Sequence, residues 1–149
     1  TLPSIVALQN QDTELTIFDY LVAALMLFFI MYETLADIQH WNFQSQKWKK
    51  IHAGEPLSSD YKKGFLDKGL WAYSRHPNYF AEQSIWICFY LFSVVASGEW
   101  INWSIAGCLL LLVLFRGSSD FGEMLSASKY PEYKTYQQKT PRFIPFAKL

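Results

Sequence analysis

Three apolar stretches without a charged residue constrain this chain more than any other feature of its sequence. They cover residues 20–32, 83–98 and 100–115, and charged side chains bound each of them. Each is shorter than the roughly 20 apolar residues that a spanning helix needs, but flanking Trp, Tyr, Glu and Arg side chains extend them into the headgroup layer. Residues 105–115 are apolar on all sides of a helix, which disfavours a soluble bundle. The sequence therefore predicts three transmembrane helices.

The composition also favours a membrane protein. Charged residues make up 17% of the 149 residues and hydrophobic residues 51%, whereas a soluble domain carries about 25% charged residues. The 13 Lys and Arg balance the 13 Asp and Glu without forming a basic stripe, which disfavours nucleic acid as a partner. We expect a single integral membrane domain over residues 1–149, an all-α helical bundle surrounded by lipids.

Basic residues are distributed unequally between the loops. Residues 1–18 and the turn at 98–103 contain no Lys or Arg, whereas residues 47–75 contain seven and the segment from Arg116 onward contains six. The positive-inside rule places the basic segments on the cytosolic side of the bilayer or its equivalent. An endoplasmic reticulum membrane, another organelle membrane and a bacterial inner membrane all fit this pattern.

The uncharged windows and two prolines predict the helix boundaries. Pro77 and Pro131 suit the first turn of a helix, where a missing backbone N–H costs nothing. We predict helices near residues 16–40, 77–97 and 100–128, a tight turn at 98–103, and a short C-terminal surface helix at 131–138.

Three polar stripes lie where the predicted spans reach the basic side. Each follows the spacing that places residues on one face of a helix. Ionisable groups at this depth usually face a protein interior or a watery cavity, so we expect the stripes to line one cavity. Snorkelling interfacial residues are the alternative explanation. The stripes comprise Glu33, Asp37, His40 and Trp41; Arg75, Asn78, Tyr79 and Glu82; and Arg116, Ser119, Asp120 and Glu123.

The side chains in these stripes suit a nucleotide-type cofactor. Carboxylates accept hydrogen bonds from ribose hydroxyls or an adenine amine, and basic residues, including the lysines at 47–50, bind phosphates. A metal site is the weaker alternative, because Glu33, Asp37 and His40 lack a specific ligand geometry. The chain has no GxGxxG, P-loop or GxSxG motif, which argues against soluble Rossmann, kinase and serine hydrolase folds.

Three segments resemble a known membrane family. The block GLWAYSRHPNYFAE at residues 69–82 is similar to the signature of the family known as DUF1295. That family is related to the C-terminal domain of steroid 5α-reductases, to sterol reductases and, more distantly, to isoprenylcysteine carboxyl methyltransferases. The segment ETLADIQ at residues 33–39 and the tail at 130–145 agree with the resemblance.

The resemblance implies an α-helical membrane fold whose cytosol-facing cavity holds NADPH in the reductases or S-adenosylmethionine in the methyltransferases. Greater similarity to the reductases implies the C-terminal, cofactor-binding part of a longer fold that transfers hydride to an activated double bond of a lipid or steroid-like substrate. It identifies no catalytic residue. Matched residue by residue, the resemblance implies nine positions near the cofactor: Asp37, Arg75, His76, Asn78, Tyr79, Glu82, Glu123, Tyr133 and Tyr136. The first stripe adds Glu33 to this predicted cofactor site.

Two departures from the 5α-reductases keep other functions open. The helices that carry their carbonyl-polarising groups have no counterpart here, and residues 116–122 contain no histidine. We therefore expect these 149 residues alone to show little or no reductase turnover. The alternatives are an S-adenosylmethionine-dependent methyltransferase and a non-catalytic subunit without cofactor. Such a subunit would pack against other membrane subunits through small residues such as Ala23 and Gly107.

Overall fold

The protein is all-helical. A computed structural model describes residues 1–147 and contains no strand within them. Three helices are long and apolar enough to cross a membrane, namely α2, α4 and α5, so the prediction of an all-α integral membrane protein is confirmed. The elements in chain order are α1 (Leu2–Gln9), α2 (Ile17–His52), α3 (Ser59–Lys63), a 3₁₀ turn (Gly69–Ala72), α4 (Pro77–Ser97), α5 (Ile105–Lys129) and α6 (Tyr133–Lys139).

The first predicted helix is longer than the sequence pattern suggested. Helix α2 continues to His52 instead of ending near residue 40. Phe43 and Lys47 lie one helical turn apart and are both buried. The Lys47 Nζ donates a hydrogen bond to the Gly64 carbonyl at 2.9 Å. This tertiary contact stabilises a helical segment whose charge and polarity alone favour a loop.

The second and third helices form a hairpin whose turn differs slightly from the prediction. Helix α4 has the predicted bounds, whereas α5 begins at Ile105 and not near residue 100. Gly98 adopts a φ of 72°, which reverses the chain after α4. The Asn102 Oδ1 then accepts hydrogen bonds from the Ser104 backbone N–H at 3.1 Å and from its hydroxyl at 2.6 Å. These bonds stabilise a non-helical turn up to Ser104, so α5 begins at Ile105.

The backbone packs as two compact units. One consists of residues 1–32 and 81–117, and the other of residues 33–80 together with the chain from residue 118 onward. The first unit contains a single Lys or Arg, Arg116, and we name it the apolar unit. The second contains the other Lys and Arg residues of the described chain, and we name it the basic unit.

The apolar unit presents hydrophobic side chains on its outside. Leu21, Leu25 and Phe28 of α2 are all more than two-fifths exposed. A soluble protein rarely exposes so large an apolar surface, whereas a bilayer solvates it. Inside the unit, Cys88 and Cys108 are buried free thiols.

The basic unit has an aromatic core. The Phe65 ring lies 5.0 Å from that of Tyr133 in an edge-to-face arrangement and 5.2 Å from that of Tyr136 in a stacked one. Both tyrosines are buried, so the predicted surface helix α6 packs one face into the unit. Gly64 has a φ of 94°, and a side chain there would overlap the Tyr130 ring.

Candidate functional site

The RHPNY block is preceded by a segment that binds tightly to α2. Gly69 has a φ of 63° and its backbone lies against the Gln39 side chain, where a Cβ atom would not fit. The Leu70 backbone N–H donates to the Gln39 Oε1 at 2.9 Å, and the Trp71 Nε1 donates to the Ala36 carbonyl at 3.1 Å. These contacts fix the path by which the chain enters the block.

The C-terminal tail holds the same block from another side. The backbone N–H of Arg75 donates to the Pro141 carbonyl at 2.9 Å, and that of His76 donates to the Arg142 carbonyl at 3.0 Å. The Ser74 hydroxyl donates to the Arg142 carbonyl at 3.1 Å. Helix α4 begins immediately afterwards at Pro77, so the tail sets the position from which Arg75 and His76 extend their side chains.

Glu123 is the centre of a buried ion cluster. Its side chain is 3% exposed and accepts hydrogen bonds from the Arg75 Nε at 2.8 Å and Nη2 at 3.2 Å. The His76 Nε2 at 2.9 Å and the Gln137 Nε2 at 2.8 Å also donate to it. The Arg142 Nη2 lies 3.4 Å away. The carboxylate of α5 therefore joins the segment just before α4, helix α6 and the tail.

Protein acceptors occupy the Arg75 guanidinium almost completely. Besides the two bonds to Glu123, its Nη1 donates to the backbone carbonyls of Gln137 and Thr140. The residue is 7% exposed. A guanidinium has five N–H donors, and four are satisfied within the protein. The bonding pattern is that of a residue that maintains the architecture of the site.

An open cavity of about 240 Å³ lies beside this cluster. Asn78 lines it, and the Asn78 Nδ2 donates to the Asp37 Oδ1 at 3.1 Å. Because a carboxylate only accepts hydrogen bonds, this contact fixes which end of the amide is the nitrogen. The Asn78 Oδ1 is buried and has no hydrogen-bond partner in the described chain. A residue of the cavity wall therefore holds a buried, unsatisfied acceptor in a defined orientation.

Aromatic and imidazole rings form much of the remaining wall. The His40 ring stacks on Trp71 with a centroid distance of 5.0 Å, and the His76 ring stacks on Tyr79 at 5.2 Å. The bond from the His76 Nε2 to Glu123 fixes the plane of that imidazole. The wall thus offers flat apolar faces beside a few oriented polar atoms, which is typical of sites for small molecules.

Two phenols of α6 complete the wall. Burial, with a further contribution from the Glu123 charge, raises the pKa of Tyr133 to about 12. Burial also raises the pKa of Tyr136, with the neighbouring Tyr133 as the next cause. The Tyr136 hydroxyl donates to the Trp71 carbonyl. Both phenols remain protonated near neutral pH, so each can donate a hydrogen bond but cannot act as an anion.

A family model matches residues 1–140 of this chain. The chain belongs to the DUF1295 family. The description of that family is "Protein of unknown function". An uncharacterized protein of Schizosaccharomyces pombe is 38% identical over 133 residues, which cover 85% of this chain but 39% of the yeast protein. The chain thus spans well under half the length of that relative. No solved structure matches it.

The residues predicted as a cofactor site occupy three kinds of position in this DUF1295 chain. Asp37 and Glu123 bind to residues of the cavity wall through hydrogen bonds. Glu33 belongs to the basic unit without lining the cavity, and Glu82 belongs to the apolar unit, where it accepts a bond from the Trp86 Nε1 at 2.9 Å. The other six line the cavity: Arg75, His76, Asn78, Tyr79, Tyr133 and Tyr136.

The cavity also involves residues outside the ten predicted cofactor positions. His40 belongs to the first stripe, about one turn after Asp37, and it lines the cavity as that spacing predicts. Trp71 belongs to none of the three stripes, but it lines the cavity. Gln137 and Arg142 had no local signal, because their partner Glu123 lies on another helix.

Proposed function

We propose that the cavity of the basic unit binds NADPH, and that the protein thereby supports reduction of an activated double bond in a lipid or steroid-like substrate. The resemblance of this family to reductases supports NADPH as the cofactor. The unsatisfied Asn78 Oδ1 supports this cavity as the binding site. A buried acceptor without a partner costs about 1–3 kcal/mol. A ligand that supplies an N–H or O–H donor to this atom recovers that energy.

NADPH has suitable donors in its carboxamide, its adenine amine and its ribose hydroxyls. Asp37 would keep the Asn78 amide oriented toward them, since it accepts from the nitrogen end at 3.1 Å. The cavity volume of about 240 Å³ lies below the roughly 300–1,000 Å³ typical of ligand pockets, so we expect it to hold part of a dinucleotide. NADPH would supply the hydride when bound.

The charged residues of the site have supporting roles in this proposal. Arg75 is the only Lys or Arg on the cavity wall within the described chain, and protein acceptors occupy its guanidinium. We therefore expect Arg75→Ala to weaken NADPH binding by releasing the tail and Glu123, and not by removing a phosphate contact. Glu123 holds the His76 imidazole, whose proton at Nε2 it accepts. Tyr133 contributes a neutral hydroxyl donor.

S-Adenosylmethionine is the second candidate, and one observation favours it. The wall combines aromatic rings with the nearby Asp37 carboxylate and has no Lys or Arg, among the described residues, that is unengaged. A sulfonium cation is attracted to aromatic faces and to a carboxylate. The same adenine and ribose donors would satisfy Asn78. On this alternative the protein would support methyl transfer.

Binding measurements on the full chain in a neutral detergent test both candidates. We expect saturable NADPH binding that Asn78→Leu weakens about 2- to 10-fold, the effect of losing one hydrogen bond. The matched control is Asn42→Leu, because Asn42 is exposed on α2 and does not line the cavity. Binding of S-adenosylmethionine alone would establish the second candidate. If neither compound binds, the cofactor proposal is wrong and a non-catalytic subunit becomes the best explanation.

A further inference from the structure

A second cavity, in the apolar unit, has a chemistry that the proposed reductase function does not use. We propose that it binds an amphiphile with an ammonium headgroup, such as a long-chain lipid amine. The cavity has a volume of about 460 Å³ and is formed by α1, the following loop, the start of α2 and the last turns of α4. Its volume lies within the range of sites that enclose small-molecule ligands.

The inner wall of this cavity suits a hydrocarbon chain. It is formed by consecutive turns of α4 and includes Phe89, Phe92, Val95 and Ala96. All four side chains are only partly buried by the rest of the protein. Burial of apolar surface contributes about 25 cal/mol per Å², so an alkyl chain would add appreciable binding energy here. The bilayer that surrounds this unit is a source of such chains.

The charged residues of the lining are acidic. Glu14 and Asp19 line the cavity, and no Lys or Arg of the described chain does. Neither residues 1–46 nor residues 76–115, which contain every residue of the lining, include any Lys or Arg. A phosphate, sulfate or carboxylate headgroup would therefore meet only like charge. A cationic headgroup would meet two carboxylates.

The two carboxylates differ in what they already bind. The Asp19 Oδ2 accepts from the Thr16 backbone N–H at 2.7 Å and from its hydroxyl at 2.9 Å, which caps the first turn of α2. The Glu14 side chain is exposed and forms no hydrogen bond or ion pair with any residue of the described chain. Glu14 is thus the carboxylate available for an ammonium group.

Aromatic rings add to the preference for this headgroup. Ammonium groups are attracted to the faces of aromatic rings within about 6 Å, and sites for them combine such rings with carboxylates. Phe89 and Phe92 lie in the same cavity as Glu14. Side-chain amides and hydroxyls from Asn10 and Thr13 supply acceptors for the N–H donors of a primary ammonium. The combination distinguishes an ammonium from an alcohol of the same chain length.

The test compares three brominated C12 amphiphiles with different headgroups. They are an ammonium, an alcohol and a sulfate, each added to the full chain in neutral maltoside micelles, with quenching of tryptophan fluorescence as the measure of binding. We expect saturable binding with the ammonium tightest and the sulfate weakest. Glu14→Gln should weaken ammonium binding up to about 5-fold at low salt, the effect of one partly exposed ion pair, and leave alcohol binding unchanged.

Two further variants keep the result interpretable. Asp12→Asn is the matched control, because Asp12 is an exposed carboxylate in the same loop that does not line the cavity. Ala96→Phe should fill the inner wall and reduce binding of all three amphiphiles. Non-saturable quenching, equal affinities for the three headgroups, or an equal effect of Asp12→Asn would overturn the proposal. These results are independent of NADPH binding to the basic unit.

Discussion

Removal of the Glu123 carboxylate should destabilise the basic unit more than any surface change. In Glu123→Ala the Arg75 guanidinium keeps its two backbone carbonyls but loses its ion pair, and it stays buried at 7% exposure. His76 and Gln137 lose their acceptor as well. Leaving one partner of a buried pair uncompensated costs about 3–5 kcal/mol. We expect a loss of unfolding free energy in that range.

Asp120→Ala provides a matched control on the same helix. Asp120 pairs with Arg142, which also contacts Glu123, but its side chain is 53% exposed. Exposed ion pairs contribute about 0–1 kcal/mol, because water screens the charges and ordering of long side chains offsets the attraction. The two variants therefore remove a carboxylate from the same helix, one buried among four partners and the other about half exposed.

Unfolding by increasing fractions of sodium dodecyl sulfate in neutral micelles, followed by tryptophan fluorescence, measures both losses. The double variant Arg75→Met with Glu123→Leu should lose less than either single variant, since no unpaired charge remains buried. It should stay below the natural protein, because the carbonyls of Gln137 and Thr140 lose their donor. Equal losses for Glu123→Ala and Asp120→Ala would show that burial of the Glu123 ion cluster does not determine its contribution to stability.

Three other outcomes are expected. Gly64→Ala should destabilise the protein by several kcal/mol, since the added Cβ atom would overlap a neighbouring tyrosine ring. The control Gly54→Ala meets no atom and should cost about 1 kcal/mol from its positive φ alone. Thermal unfolding measures both losses of stability. The pKa of Tyr133 is about 12 in the folded protein, against 10.0 in the unfolded chain, so the free energy of unfolding should decrease as the pH rises from 10 to 12. In unfolding curves at alkaline pH, Tyr133→Phe should make this decrease smaller. Impermeant thiol reagents should label Glu55→Cys and Glu99→Cys from opposite sides of a vesicle membrane, in a variant without the native cysteines; labelling from one side would contradict the positive-inside prediction.

Local sequence signals are sufficient to predict the helical membrane fold. A long window without charged residues indicates that a helix lies in lipid, and Pro77 favours a helix start at its own position. Helical periodicity likewise placed Arg75, Asn78 and Tyr79 together, and all three line the cavity. Neighbours within two helical turns determine these features.

The pairing of the charged residues depends on tertiary packing. Glu123 is separated by 48 positions from Arg75 and by 19 from Arg142, and no periodicity relates such distant residues. Periodicity also grouped Glu82 with Arg75, although Glu82 belongs to the apolar unit. The bonds that occupy Arg75 come from a tail that folds back onto residues 74–76. A buried charge must find its partners wherever the chain brings them, so its role depends on packing and not on local sequence.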